Sequence, residues 1–210
     1  MVENVPLETP SGSLKRGRPR SDDVDHAILV AAAALLFERG LEAMTIEEVA
    51  ARAGVGKASI YRRWSTKGTL ALDAFLADYL AQLPLADTGT FEGDLRDALS
   101  HWTTAVVGTP MGRALVGLVA EAQVDPELAK GWAERVMGPA RERHRVMIER
   151  AIERGEVAAD SDVDVIMDAL YGAAYHRLLQ GHLPLTPAFI DGVARLIARG
   201  ATAGLAFGPS

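Results

Sequence analysis

Apolar residues recur at intervals of three and four along nearly the whole chain, the spacing that places side chains on one face of an α-helix. No stretch alternates convincingly as a β-strand would. The pattern predicts helices from Ser21 to Gly40, from Thr45 to Ala53, from Lys57, from Lys67 or Thr69 to Leu83, from Phe91 to Val107, from Met111 to Val124, from Pro126 to Arg154 with a kink at Gly138-Pro139, from Asp162 to Leu179 and from Pro187 to Ala203. The predicted fold class is therefore all-α, with about nine helices.

The stretch from Thr45 to Lys67 has the pattern of a helix-turn-helix. Thr45 and Glu48 have the Ser/Thr-x-x-Glu spacing of a capping box, which predicts a helix N-terminus. Gly54 suits the left-handed backbone conformation that ends a helix. Ile60 and Trp64, four residues apart, are predicted to turn a second short helix towards the interior. A helix, a tight glycine turn and a second helix form the motif that places its second helix in the DNA major groove.

Positive charge is concentrated in this stretch, although the chain as a whole has a formal net charge of -6. No acidic residue lies between Val49 and Leu72, a segment that contains Arg52, Lys57, Arg62, Arg63 and Lys67. The first 68 residues carry ten Lys/Arg and nine Asp/Glu, and the rest carry twelve and nineteen. Local patches rather than the total charge govern attraction to phosphates, so the acidic total does not exclude DNA binding.

A second basic cluster, Lys15 to Arg20, precedes the first predicted helix. Gly17 and Pro19 prevent a helix there and favour an extended arm. Arginines of such an arm fit the narrow minor groove, so Arg16, Arg18 and Arg20 are candidate minor-groove contacts. The alternative is a solvated, disordered basic tail.

With these residues in view, the chain resembles the TetR family of bacterial transcriptional repressors over Val24 to Leu70. The most specific piece is AGVGKASIYRRWSTKGTL, from Ala53 to Leu70. Two positions depart from the family pattern. Gly56 replaces the usual Ser at the N-cap of the second helix, and Gly68 replaces a common acidic residue, which predicts a looser first turn of the next helix.

The resemblance implies roles for the residues of the motif. Lys57, Ala58 and Ser59 occupy the first turn of the second helix, which meets base edges. Tyr61, Arg63 and Lys67 are implied to contact the DNA backbone, together with Thr45. Lys57 has an alternative role as a non-specific phosphate contact, and Arg62 is a candidate contact or only a solvated charge.

The resemblance also implies an organisation into three parts: a disordered basic arm (1–20), a DNA-binding head (21–68) and a helical effector-binding and dimerisation domain (69–210). A three-helix head reads few base pairs, so specificity requires a homodimer on a palindromic operator of double-stranded DNA. The apolar positions of the last two helices are the candidate dimer interface: Val163, Ile166, Leu170, Ala173, Ala174, Leu178, Leu179, Phe189, Ile190, Val193, Leu196, Ile197 and Leu205. The alternative is an ordinary monomer core.

The family further implies a small, often hydrophobic effector, which the sequence does not identify. Candidate cavity residues are Trp102, Met111, Leu115, Met137, Met147, Tyr171, Tyr175 and His176, each of which is equally typical of a plain core. No pattern selects among them, so the effector pocket stays unknown at this level.

Other classes of protein are poorly supported. The chain has no cysteine, and His26, His101, His144, His176 and His182 form no metal-binding spacing, so neither a metal nor a cofactor is expected. No nucleophile or phosphate-loop motif supports a helical enzyme, and an architectural DNA-binding protein would be basic throughout. The absence of a run of ~20 apolar residues or of a secretory signal predicts an intracellular protein without a membrane association. The resemblance implies a location in the bacterial cytoplasm, and on the nucleoid when the protein is bound to DNA.

Overall fold

The computed structural model describes residues 21–79 and 86–202, and within those ranges all of its regular secondary structure is helical. The ten α-helices are α1 (Ser21–Ala43), α2 (Ile46–Ala53), α3 (Lys57–Tyr61), α4 (Lys67–Tyr79), α5 (Phe91–Val106), α6 (Pro110–Glu121), α7 (Pro126–Trp132), α8 (Gly138–Glu153), α9 (Val163–Gln180) and α10 (Pro187–Thr202). A π-helical turn (Ala133–Met137) joins α7 to α8. The predicted all-α fold is confirmed, with α7, the π-helical turn and α8 replacing one long predicted helix.

The first helix ends where its glycine predicts. Gly40 lies inside α1 with φ 83° and ψ 170°, so the chain leaves the helix there and adds only a last turn before Ala43. Glycine has no Cβ and adopts this positive φ without steric cost. The turn carries the buried side chains of Leu41 and Met44 back into the core.

The break between α7 and α8 lies just before Gly138-Pro139, close to the predicted kink. The Gly138 N–H donates to the Ala133 carbonyl oxygen, five residues earlier, which is the hydrogen bond of a π-helix. Proline has no N–H to donate and its ring crowds the carbonyl four residues before it, here that of Arg135. The widened turn accommodates that crowding and keeps the chain helical on both sides.

A common core joins the N-terminal helices to the rest of the chain. Helix α1 packs against α2, α4 and α6, while α4 also packs against α6 and α7. Farther along, α5 packs against α10 and also contacts α6, α8 and α9. The largest buried side chains, among them Phe75, Phe91 and Trp102, lie along this continuous core. The helix-turn-helix is therefore mounted directly on the helices that follow it.

The environment of Gly68 differs from the loose helix turn that was predicted for it. It lies buried at the start of α4, and a Cβ at this position would come within 3.0 Å of Leu128 Cδ2 and 3.1 Å of Asp125 Oδ2. The missing side chain lets α4 pack closely against the start of α7. The predicted loosening of this turn therefore gives way to a tight helix contact.

Three predictions fall outside the described residues: the basic arm with Arg16, Arg18 and Arg20, the end of the fourth predicted helix up to Leu83, and the contribution of Leu205 to a dimer interface. Within residues 21–79 and 86–202, no individual helix combines the length and apolar character needed to cross a membrane. One bent pair, α5 with α6 at 93°, meets those criteria jointly, by length and composition only.

Candidate nucleic-acid interface

The helix-turn-helix starts at a capping box. Thr45 Oγ1 accepts a hydrogen bond from the Glu48 N–H at 3.2 Å, and its hydroxyl donates to Glu48 Oε2 at 3.0 Å. The hydrogen bond from Thr45, followed by that from Arg39, holds the pKa of Glu48 below its usual value. The predicted cap is confirmed, and it leaves Thr45 exposed at the N-terminus of α2.

The turn between the two helices follows from two glycines. Gly54 is left-handed (φ 68°, ψ 32°) and closes α2. The following Val55 N–H returns to the Ala50 carbonyl oxygen at 3.0 Å. Gly56 then takes the N-cap of α3 in an extended conformation and offers no side-chain cap. The N–H groups at the start of α3 therefore lack the side-chain acceptor that a serine would supply.

Helix α3 presents one face to the core and another to solvent. Ile60 is completely buried and Trp64 is 8% exposed, as predicted from their spacing. Lys57, Ala58 and Tyr61 lie on the exposed face, where Tyr61 keeps 54% of its surface accessible. The residues predicted to meet DNA bases are thus directed outward by the burial of Ile60.

Lys57 has a partner within the protein. Its Nζ donates to Glu47 Oε1 at 2.8 Å, a hydrogen bond that raises the pKa of the lysine and lowers that of the glutamate. Both side chains are more than half exposed, so water screens the ion pair and makes it weak. An incoming phosphate or guanine edge would compete with Glu47 for the ammonium group.

Arg63 is turned into the head rather than out of it. Its side chain is only 18% exposed, forms an ion pair with Asp25 of α1 and donates to the Ser59 carbonyl oxygen at 2.9 Å. The guanidinium group therefore ties α3 to α1. The proposed contact of Arg63 with the DNA backbone stays a prediction, and the structure gives this residue a positioning role that its motif position does not reveal.

Lys67 also makes contacts inside the protein. Its Nζ donates to the carbonyl oxygens of Leu41 and Glu42, at 2.9 and 3.4 Å. These carbonyls belong to the last turn of α1, where a helix lacks intrahelical donors and favours a cation. Its predicted phosphate contact would extend from this half-buried position.

A set of polar contacts joins the end of the helix-turn-helix to the later helices, and the sequence pattern does not indicate it. Trp64 Nε1 donates to Asp73 Oδ2 at 2.8 Å, and the Asp73 carboxylate also pairs with Arg135 of the π-helical turn. Thr66 Oγ1 donates to Asp125 Oδ2 at 2.9 Å. The partners are 9 to 62 residues apart in sequence, so only the fold brings them together.

A cavity of about 240 Å³ lies between α5, the π-helical turn, α8 and α9. Four of the candidate effector residues line it: Trp102, Met137, Tyr171 and Tyr175. The other four do not. Leu115 and Met147 are fully buried core residues, Met111 lines a separate open groove beside Phe37, and the His176 ring packs against His182.

Three polar residues of this cavity were not predicted from the sequence: Arg141, His144 and Asp168. Arg141 and His144 are three residues apart on α8, and Asp168 lies four residues after Asp164 on α9. That spacing is common on solvated helix faces, so no signal separated them from ordinary surface residues. Among the described residues, no group of three or more histidine or acidic side chains is placed to hold a metal ion.

The face predicted for dimerisation needs correction. Ile166, Leu170, Ala174 and Ile190 are buried within the protomer, because their side of α9 and α10 packs onto the core. The exposed side of the two helices carries Leu179 and Leu196 of the predicted set, together with four residues that were not predicted: Val165, Ala169, Gly172 and Gly192. Leu196 is 73% exposed. The periodic apolar pattern identified both helices and two of the exposed residues, but it did not separate the uncovered side from the buried one.

Comparisons with known proteins extend over both parts of the chain. Residues 28–74 match the family described as bacterial regulatory proteins, tetR family, and residues 85–197 match the tetracyclin repressor-like C-terminal domain. The chain is 36% identical to the uncharacterized HTH-type transcriptional regulator YdeS of Bacillus subtilis, covering 79% of this chain and 83% of that one.

Two further relatives agree. The DNA-binding transcriptional repressor TetR of Mycobacteroides abscessus is 31% identical, covering 83% of this chain and 90% of its own. The crystal structure of the TetR family transcription regulator SCO0332 superposes with a TM-score of 0.73 at 34% identity, covering 85% of this chain and 98% of the other. The similarity therefore includes the helix-turn-helix, the helical layout and most of the C-terminal half.

Proposed function

Because this chain belongs to the TetR family of helix-turn-helix transcriptional regulators, we propose that it is a repressor that binds a palindromic operator as a homodimer and leaves it when a small molecule binds. The family and the relatives consist of transcriptional regulators rather than enzymes. The proposal therefore concerns how this regulator recognises DNA, assembles and responds.

One observation carries the DNA-binding part: the exposed start of α3. Lys57 and Ala58 are exposed, Ser59 is half-buried, and all three lie in the first turn of a helix held in place by buried Ile60. A lysine donates to guanine O6 or N7, and an alanine methyl packs against thymine. We assign base contacts to these three residues, and contacts with the DNA backbone to Thr45, Tyr61, Arg63 and Lys67.

The proposed dimer rests on the uncovered face of α9 and α10. Gly172 and Gly192 lie inside these helices, and a Cβ on either would meet nothing within 4 Å. A glycine inside a helix costs roughly 0.5–1 kcal/mol relative to alanine, and no contact within the protomer requires one here. Close approach of a second copy would use both glycines and cover Leu196.

The test is selection of bound DNA from a random pool by the full-length protein. The expected result is one palindrome, whose half-sites are separated by about one helical turn or a multiple of it. Binding to the selected palindrome should weaken steeply with salt, because phosphate contacts release counterions. Recovery of DNA without a shared sequence would remove the proposal, and recovery of a single unrepeated half-site would remove its dimeric part.

A further inference from the structure

The chemistry of the cavity between α5, α8 and α9 points to a class of ligand. This step rests on the proposed function, in which a small molecule controls DNA binding. Its walls are largely aromatic: the Trp102 ring lies edge-on to Tyr171, with ring centroids 5.8 Å apart, and tilted against Tyr175 at 5.0 Å. Met137 and Met167 complete the lining with flexible, polarisable side chains. Such walls favour a flat aromatic molecule, which gains from offset or edge contacts with the rings.

The size of the cavity limits the ligand. Its volume of about 240 Å³ lies below the roughly 300–1,000 Å³ typical of sites for drug-sized molecules. A molecule of one or two fused rings is therefore a better match than a long acyl chain or a nucleotide.

The polar corner of the cavity is a histidine–tyrosine pair. His144 Nδ1 lies 2.6 Å from the Ala140 carbonyl oxygen, which can only accept, so Nδ1 carries the proton. Burial lowers the pKa of His144, so the ring is neutral near pH 7 and its Nε2 is an acceptor. The Tyr171 hydroxyl, 2.8 Å from Nε2, must then donate to it. A phenol oxygen that donates its proton can still accept a hydrogen bond, so the pair is suited to a ligand that donates one.

The charges around the cavity disfavour an ionic ligand. Arg141 donates to Asp164 Oδ1 at 2.8 Å and to Asp168 Oδ1 at 2.5 Å. Two carboxylates thus compensate the Arg141 guanidinium group, and a carboxylate ligand would have to displace them to pair with it. A cationic ligand would be penalised by the same burial that keeps His144 neutral.

We propose that this cavity binds a small, uncharged, flat aromatic molecule with a hydroxyl group, whose O–H donates to the Tyr171 oxygen while its rings pack against Trp102 and Tyr175. Tyr171 and His144 determine the orientation of the hydroxyl, and the aromatic walls supply most of the contact.

Three matched probes test the class with the full-length protein by titration calorimetry: naphthalene, 2-naphthol and 2-naphthoate. We expect 2-naphthol to bind up to about tenfold more tightly than naphthalene, the value of one net hydrogen bond, and 2-naphthoate to bind least. In Tyr171→Phe the affinity for 2-naphthol should fall to that for naphthalene. Unchanged naphthalene binding by the same variant would show that its cavity is intact.

A matched control lies in a different concavity, the open groove beside Phe37. Thr104 lies in this groove, and Thr104→Val removes a hydroxyl there without changing the shape of the side chain much. This variant should bind 2-naphthol as the wild type does. A loss in Thr104→Val but not in Tyr171→Phe, tighter binding of 2-naphthoate, or no binding of either neutral probe would overturn the proposal.

The proposed function and the ligand class fail separately. If the protein selects a palindrome but binds neither neutral probe, the ligand class is wrong and DNA recognition stands. If 2-naphthol binds through Tyr171 but no DNA sequence is selected, the repressor proposal is wrong and the ligand class stands.

Discussion

At the scale of single residues, each basic side chain of the helix-turn-helix has a different environment. Lys57 is exposed and weakly paired, Arg63 is largely buried against α1, and Lys67 reaches the last carbonyls of α1. Their motif positions are all typical of DNA contacts, so sequence alone does not distinguish these environments. In the structure, Lys57 can exchange its partner Glu47 for DNA, whereas Arg63 and Lys67 also stabilise the DNA-binding head.

Lys57→Ala tests base reading. If Lys57 contacts a guanine, the variant should lose about tenfold or more in affinity for the operator and accept other bases at one position. Affinity for the operator and for its single-base variants, measured at one salt concentration, checks this. An equal loss on operator and random DNA would assign Lys57 to a phosphate.

Asp25→Asn tests the positioning role of Arg63. Asp25 carries negative charge beside the DNA-binding helix, so its removal alone should strengthen binding to phosphates. If its pairing with Arg63 holds α3 in place, the variant should instead weaken operator binding and destabilise the protein by about 1 kcal/mol. Operator affinity and urea denaturation measure both effects. Stronger operator binding by Asp25→Asn would contradict the positioning role.

His144 predicts a pH dependence of stability. Burial lowers the pKa of its ring below 6.5, helped by the charge of Arg143 and opposed by the hydrogen bond to Ala140, so the unfolded chain takes up a proton more readily than the folded one. The contribution of a neutral His144 is complete above pH 6.5 and is lost as the pH falls through 6.5 towards the lowered value.

The check is urea denaturation of the wild type and of His144→Gln between about pH 8 and pH 5. Glutamine keeps one donor and one acceptor but does not titrate in this range. The wild type should lose more stability than the variant on acidification. Parallel curves for the two proteins would contradict the prediction. The other charged or polar groups at this corner, Arg141, Arg143, Asp168 and Tyr171, remain in both.

At the scale of helices, much of the layout follows from local pattern. Thr45, Gly54 and Gly40 mark helix ends by their own backbone chemistry, and the structure confirms each. The π-helical turn was not predicted. A proline inside a helix disrupts the regular hydrogen bonding, but the sequence does not show whether the helix breaks, kinks or widens in response. The uncovered side of α9 was only partly predicted: Leu179 is exposed as expected, but Ile166, Leu170 and Ala174 are buried, since both sides carry apolar residues and only packing selects between them.

The π-helical turn connects the cavity to the DNA-binding head. Val136 and Met137 line the cavity, while the adjacent Arg135 pairs with Asp73, which accepts a hydrogen bond from Trp64. A ligand that shifts this turn would therefore move the support of α3. Such coupling requires only that the ligand prefer one of two arrangements.

Arg135→Gln tests this connection. Operator affinity without ligand should change little, because the ion pair is partly exposed. The ratio of operator affinities without and with saturating 2-naphthol should fall towards one. The control is Lys130→Gln, which removes a cation on α7 whose 3.9 Å ion pair with Glu134 does not reach the head. Equal ratios in the wild type and both variants would contradict the connection.

At the scale of the whole molecule, the continuous core and the uncovered α9–α10 face have complementary consequences. Because α1 packs on α4 and α6, a displacement of the C-terminal helices would be transmitted to the helix-turn-helix. In a dimer joined through α9 and α10, the distance between the two DNA-binding heads would then depend on whether the cavity holds a ligand. Long-range contacts of this kind cannot be read from periodicity, which reports only that a helix has an apolar side.

Leu196→Glu tests the assembly. A charge at this exposed position should leave the protomer folded, because the side chain is 73% accessible, and should separate the copies. Light scattering should show a dimer for the wild type and a monomer for the variant, with loss of tight operator binding. Val124→Glu is the matched control, since Val124 is 77% exposed but lies in the turn between α6 and α7, away from α9 and α10 in sequence. A Leu196→Glu variant that remains dimeric would exclude this interface.

The hydrogen bond from Trp64 to Asp73 also makes the fluorescence of Trp64 sensitive to the conformation of the DNA-binding head. The chain contains three tryptophans, and Trp64 alone belongs to the helix-turn-helix, with its indole N–H bonded across to α4. Indole emission shifts with the polarity and hydrogen bonding of its surroundings. With Trp102 and Trp132 replaced by phenylalanine, the remaining tryptophan fluorescence would report changes at the junction between α3 and α4 in real time, without an attached dye.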